Sequence, residues 1–405
     1  MVWRFLGISG MGIFTFLTAG AQLVNKDAKI YIEKGVTVTV DGDVKVVSGE
    51  LLNSGRLRLT GDWINNSILA GSARTGGHVI FIGADQRIAG TRLSAFGNLE
   101  FSGNGTKTLE SDVDVFGDLI LSDRQVNIAG STLTVKNAAP SAITRTRGFI
   151  GTENGGKLIR NTNSEGTYLY PFGSSAAAIY RPLEVIPQTA DPMAFSASMF
   201  NNDPSVSGYD VASKRENVKS VFDRYFYLVD QVSGTGSTHI KFYLNTSPAP
   251  SLAGAGDVKT LLNWSGFRLW EKAAPSIVTD GDFGDGLNRN LLFTSAEPMR
   301  PTPFTFGEPS GTADEGPLTF FNAFSPDGDG KNDTWTIGNL DLFPENDLTI
   351  FNRWGDEVFR VKSYSSSKAW DGGTLNPGTY YYVLNVKING DAKSYKGFIT
   401  MLKKN

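Results

Sequence analysis

The chain has 405 residues, a formal net charge of −3, 46 glycines and no cysteine. Its length exceeds one ordinary core and suits two to four domains. The lack of a basic excess leaves no footprint for nucleic acid. The lack of cysteine excludes disulfides, thiol catalysis and Cys-based zinc sites. Short apolar runs between Gly, Asn, Asp and Ser mark an all-β chain with many turns.

Met1–Ala21 has the form of a signal peptide. Arg4 is a minimal basic region, Phe5–Leu17 an apolar stretch, and Ala19-Gly20-Ala21 a small-x-small cleavage site that leaves Gln22 first. An uncleaved anchor is the alternative, but the apolar run is shorter than the ~20 residues a span needs. No other stretch approaches a transmembrane helix, so the mature chain is expected to lack a span.

Residues 22–165 repeat a texture. The runs Ile30–Ile32, Val36–Val40, Val44–Val47, Leu57–Leu59, His78–Ile82, Leu99–Phe101, Val113–Phe116, Leu119–Leu121, Val126–Ile128 and Leu133–Val135 are each separated by a few turn residues. Runs this short suit the coils of a parallel β-solenoid better than the longer strands of a sandwich. Gly148–Gly151 and Lys157–Arg160 close the region. Residues 166–307 read as a β-sandwich, because strands lengthen (Val221–Val229, His239–Leu244) and aromatic rings accumulate. Residues 308–317, rich in Gly, Ser, Thr, Asp and Pro, are a linker.

Residues 318–405 form the last domain. From Tyr380 to Val386, the residues Tyr380, Tyr382, Leu384 and Val386 share one face, and Tyr381, Val383 and Asn385 the other. Asn389-Gly390 supplies a type I′ hairpin turn before the returning strand. A small Ig-like antiparallel β-sandwich is expected. Asp327, Asp329, Asn332 and Asp333 place four oxygen-bearing side chains in one short loop, which Gly328 and Gly330 allow to curl. Calcium takes six to eight oxygens at about 2.3–2.6 Å, so the loop is a calcium candidate, although its spacing is not that of an EF-hand. The alternative is an Asx-rich turn whose carboxylates bond nearby N–H groups.

Catalytic constellations are sparse. The two histidines, His78 and His239, read as strand-face residues, which leaves no basis for a His triad or a multi-His metal site. A second acidic loop, Asp280–Gly286, reads as a solvated turn. Trp264, Phe267 and Trp270 would make a sugar-stacking platform, but strand aromatics are more often core. Arg56/Arg58 and Arg145/Arg147 show no acidic companions in sequence. No enzyme is expected.

Five segments of the tail carry a resemblance. They are Phe321–Asp333, Leu348–Gly355, Trp370–Gly372, Pro377–Leu384 and Lys396–Ile399. In this order they resemble the gliding-motility-associated C-terminal domain, the type B sorting domain of the type IX secretion system of Bacteroidota. The resemblance implies an address: recognition by the type IX machinery and an outer-membrane anchoring partner, and delivery to the outer cell surface or the medium. Within the distinctive run Phe351–Gly355, Trp354 is expected in the core, and Arg353 to contact the partner through its guanidinium. More loosely, Gly61–Asn66, Ala95–Phe101 and Asp114–Leu121 resemble β-helix stretches of large Bacteroidota surface proteins, which implies a stalk. The body is therefore read as structural or adhesive. The second reading is a carbohydrate-binding or polysaccharide-lyase-like module with an extracellular polysaccharide ligand.

Overall fold

The computed structural model describes residues 2–4, 22–68, 76–152, 155–174, 179–244, 260–273, 276–295, 298–309, 318–328, 332–388 and 391–402. Most of the expected signal peptide (1 and 5–21) and of the linker (310–317) lies outside them. Val2–Arg4 pair in parallel with Lys29–Tyr31. The chain divides into two compact units, Met1–Ala273 with Asp280–Ser310, and Ala274–Thr279 with Gly311–Asn405. Among the described residues no helix is long and apolar enough to cross a membrane.

The first unit opens as a parallel β-solenoid. Its first ladder stacks Leu23–Asn25, Val44–Val46, Trp63–Asn65, Gln86–Ala89, Lys107–Leu109, Gln125–Ile128 and Phe149–Gly151. Its second stacks Thr37–Val40, Arg56–Leu59, His78–Phe81, Asn98–Phe101, Leu119–Ile120 and Ile143–Thr144. A third side carries Ala28–Ile32 and Gly49–Asn53, and further along Ser94–Phe96, Val113–Val115, Thr132–Val135 and Lys157–Thr162.

Alternation explains the core. In the first ladder, Val44, Trp63, Ile88, Leu109 and Ile128 fall in one register, coil after coil. In the second, Leu57, Val79, Leu99, Leu119 and Ile143 do the same. All ten are buried. Each coil therefore buries its apolar row against the like row of its neighbours, which no coil achieves alone.

The corners explain the punctuation. Buried Asn25, Asn53 and Asn65 each donate from Nδ2 to a carbonyl further along the chain, of Glu50, His78 and Leu93. A Cβ on Gly90, whose φ is +122°, would stand 2.0 Å from the Asn65 carbonyl oxygen, so a side chain there would part the coils.

The third side of the solenoid does not end in a free edge at Lys157–Thr162. Lys157–Thr162 pairs in parallel with Thr132–Val135 on one side and antiparallel with Met193–Phe200 on the other. The sheet continues through Phe226–Ser233, Thr302–Pro309, Thr260–Trp264 and Trp270–Lys272. A second sheet holds Tyr168–Tyr170, Leu183–Pro187, Thr238–Leu244 and Arg289–Ser295. Rings of Tyr227, Phe242, Phe304 and Phe306 pack at centroid distances of 5.2–6.5 Å. One wall of the solenoid is thus also one sheet of the sandwich, and the chain passes between them at residues 163–167. Continuity removes an exposed sheet edge.

The second unit holds a five-stranded mixed sheet in the order Ala323–Phe324, Asp391–Met401, Gly378–Ile388, Asn346–Phe351, Glu357–Lys362. Only the first pairing is parallel. Tyr380, Tyr382, Leu384 and Val386 are buried, the face expected from alternation. Asn389 and Gly390 lie outside the described residues, but the ladder pairs Ile388 with Asp391 on either side of them. The second layer is a two-stranded ladder, Thr319–Phe320 with Ile337–Gly338, plus connecting loops. Phe320 stacks on Tyr382 at 5.2 Å and 12°.

Candidate functional site: the exposed turn of the C-terminal unit

Two tryptophans hold the C-terminal core. The Trp335 amide donates to the Trp370 carbonyl at 2.7 Å, and its Nε1 donates to the Phe321 carbonyl at 2.6 Å. The Tyr364 hydroxyl donates to the Trp335 carbonyl and accepts from the Trp370 amide at 2.9 Å. Its burial pushes that phenol up to about 12, so it stays a donor at any working pH.

The third tryptophan of the domain does something else. Strand Asn346–Phe351 ends in a turn organised by Asn352. Its Oδ1 accepts from the amides of Trp354 (2.8 Å) and Asp356 (3.0 Å), while its Nδ2 donates to Asp356 Oδ2 (2.9 Å). The Asn352 amide donates to the Asp356 carbonyl at 2.9 Å. Gly355 takes a φ of +88°, which glycine adopts without strain. With the turn closed on its own backbone, Trp354 is left 78% exposed. This corrects the expectation that Trp354 belongs to the core. Strand alternation stops at Phe351, because the Asn352 side chain replaces the ladder as the local partner. Arg353 is exposed too, its guanidinium carbon 5.2 Å from the Trp354 ring. It has no ion pair among the described residues.

Of the calcium candidates, Asp327, Asn332 and Asp333 are described, and Asp329 lies outside. The Ser325 hydroxyl donates to Asp327 Oδ2 at 3.2 Å, and the Gly328 amide donates to Asp333 Oδ1 at 2.6 Å. The Ser325 amide reaches the Asn332 carbonyl at 2.9 Å, with Asn332 at φ +54°. These bonds bring Asp327 and Asp333 to the two sides of one loop. Among the described residues no group of three or more His, Asp or Glu is placed to hold a metal.

The candidates in the body are dispersed. His78 lies on the second ladder with Nε2 3.2 Å from Glu100 Oε2, and burial lowers its pKa against the pull of that carboxylate. His239 sits in the sandwich, also lowered, by burial and then by Lys241. Both are strand-face residues. In the second acidic loop, Asp282 caps the Gly284 amide at 2.9 Å, and Asp285 pairs with Arg145 at 2.7 Å. Arg145 therefore has an acidic companion, but one 140 positions away, which sequence spacing cannot reveal. Trp264 and Trp270 face each other across a hairpin, with centroids 5.4 Å apart. Trp270 is core. Phe267, on the turn between them, is 77% exposed with the Arg215 guanidinium 5.2 Å from its ring.

Comparison with curated proteins finds no match, and comparison with solved structures finds none. Comparison with protein families matches residues 318–401 to the CHU_C Type IX secretion signal domain. The C-terminal unit thus carries a type IX secretion signal domain, which marks the chain as one exported by that route.

Proposed function

We propose that this protein is a non-enzymatic structural or adhesive protein of the outer cell surface or medium, delivered there by its C-terminal domain. The observation that carries the reading is the sheet shared by the solenoid and the sandwich. It makes the first unit a stiff presenting body. Arg353 and the turn that holds it are the contact for the export machinery, and an outer-membrane partner anchors the delivered protein. The test is deletion of Leu318–Asn405 in a host with type IX secretion. The truncated body is expected to stay in the periplasm, measured by fractionating periplasm, surface and medium. Undiminished arrival at the surface would overturn the export reading.

A carbohydrate-binding or lyase-like role is the second reading. It is favoured by Phe267 beside Arg215, and by half-buried Trp264 on the same hairpin, whose ring lies 5.6 Å from that of Tyr209. Incubating the body with a polysaccharide panel separates the readings: turnover supports an enzyme, binding without turnover supports a module, and the absence of both supports the structural reading.

We propose further that the loop of Asp327, Asp329, Asn332 and Asp333 binds calcium and stiffens the signal domain. Calcium at about 100-fold above its Kd would add roughly 2.7 kcal/mol. The full-length protein is then expected to melt several degrees higher in calcium than in chelator. Superimposed melting curves would refute the proposal.

A further inference from the structure

The outward face of the five-stranded sheet carries a row of aromatic residues that its core does not use. Strand register sets Phe351 opposite Tyr381 and Tyr381 opposite Phe398, so three neighbouring strands contribute one ring each. All three alternate away from the buried set on their strands. Tyr381 is 49% and Phe398 50% exposed, and Phe351 is half-buried. The turn that follows Phe351 adds Trp354.

Cross-strand aromatic pairs stabilise a sheet by roughly 0.2–1 kcal/mol, which would account for Tyr381 and Phe398 alone. It does not account for Trp354, which has no ladder partner and sits on a turn closed by five hydrogen bonds of Asn352. A large ring left in water on a hydrogen-bonded turn that follows an exposed aromatic row is the composition of a contact surface, in which Trp, Tyr and Arg carry most of the energy. The charges give the partner's complement. Arg353 is on the turn and Lys396 projects from the strand that bears Phe398, and neither has a carboxylate partner among the described residues.

Resting on the reading of this unit as a type IX signal domain, we infer that the row Phe351–Tyr381–Phe398 with Trp354 is the surface the export machinery grips. The occupant is a protein component of that machinery presenting an apolar surface bordered by carboxylates, which meet Arg353 and Lys396. Preformed geometry lets the domain bind without paying to order a loop.

The experiment expresses five full-length forms in a type IX-competent host: wild type, Tyr381→Ser/Phe398→Ser, Trp354→Ser, Lys396→Glu and Asn385→Ser. A sixth form lacks Leu318–Asn405. Export is the fraction in surface plus medium, and the melting curve of each purified protein checks folding. The aromatic variants remove exposed rings only, so melting within a few degrees of wild type is expected. Their export should fall at least about tenfold, the equivalent of about 1.4 kcal/mol of lost contact. Lys396→Glu, which places a carboxylate against a carboxylate rim, should also reduce export. Asn385→Ser, on the same face but away from the row, should leave export within about twofold. If the truncated form is retained while the folded aromatic variants are exported like wild type, this inference fails and the signal-domain reading stands. If the truncated form is exported, both fail. A concentration-dependent dimer of wild type that Tyr381→Ser/Phe398→Ser abolishes, with export unchanged, would assign the face to a second copy and overturn the inference.

Discussion

Replacing Arg160 with methionine is expected to lower the melting temperature of the protein by roughly 5–10 °C, from a loss of about 3 kcal/mol. Arg160 is fully buried where the solenoid wall becomes the sandwich sheet. Its Nη1 donates to the Leu169 carbonyl at 2.9 Å, and its Nη2 donates to the carbonyls of Ala139 and Pro140 at 3.1 Å each. The guanidinium carbon lies 5.2 Å from the Tyr168 ring. No carboxylate balances the charge among the described residues, and Nε has no partner there. Burial draws its pKa down to about 10, so the group is still charged at neutral pH. Two effects oppose each other in the variant. Removing an uncompensated buried charge recovers a desolvation cost of several kcal/mol. Against it, three charge-assisted hydrogen bonds of about 1.5–3 kcal/mol each disappear, and the carbonyls of Leu169 and Pro140 lose their donor. The second effect wins because methionine offers those carbonyls nothing and the three lost bonds together outweigh the recovered desolvation. Arg160→Lys tests the geometry: an ammonium keeps the charge but cannot fork to both segments, so its loss should approach that of methionine. Lysine melting like arginine would show that charge alone suffices there.

How far these features are legible in the sequence depends on the range of the interaction. The alternation in Tyr380–Val386 was visible because the period of a strand is local. The solenoid was visible because its coils bury like against like, so Val, Leu and Ile recur between corner Gly and Asn residues such as Gly90 and Asn65. Trp354 misled, because a tryptophan after an apolar run reads as core until the hydrogen bonds of Asn352 are known. The Arg145–Asp285 pair and the Arg160 cage are set by topology, and nothing near either residue announces them. The continuation of the solenoid wall into the sandwich was hidden for the same reason. Lys157–Thr162 is an ordinary strand in sequence, and only its two partners, one parallel and one antiparallel, give it that place. Of the candidate site, Arg353 was legible as an exposed cation, while the aromatic row required the register of three strands separated by turns.

A lysine inside the solenoid supplies the other large expected effect, and here pH gives the sign. Lys107 occupies an inward position of the first ladder, beside Gln86, and is 1% exposed. Its Nζ lies within hydrogen-bond distance of four oxygens, the carbonyls of Gly83 (2.8 Å), Ala84 (2.6 Å) and Asn104 (3.0 Å) and Gln86 Oε1 (2.8 Å), among which its three N–H groups are shared. Gln86 Nε2 in turn donates to the carbonyls of Leu59 (3.1 Å) and Gly61 (2.6 Å), so one polar chain ties three coils together. Lys107→Met should cost about 2–4 kcal/mol at pH 7, since three carbonyls lose a donor inside the coil. Gln86 Oε1 retains a second donor, the Gly83 amide at 2.8 Å, and the Gly83 carbonyl retains the Asn104 amide at 2.9 Å, so the Ala84 and Asn104 carbonyls carry most of the loss. Burial lowers the Lys107 pKa from 10.5 to about 8. The unfolded chain therefore holds this proton more tightly than the folded one between those values, and stability gained from Lys107 rises with pH across that window. Below pH 8 both states are protonated and the contribution is flat. The stability gap between wild type and Lys107→Met, read from urea unfolding at each pH, should be constant from pH 6 to 7.5. It should then widen by up to about 3 kcal/mol as pH approaches 10.5. Taking the difference cancels the tyrosines and arginines, which titrate in both proteins. A gap that stays flat to pH 10.5 would mean that the oxygen cage fully offsets burial. A gap that narrows would mean that the cage holds the ammonium better than water does, and the lysine would then act as a fixed cation of the coil.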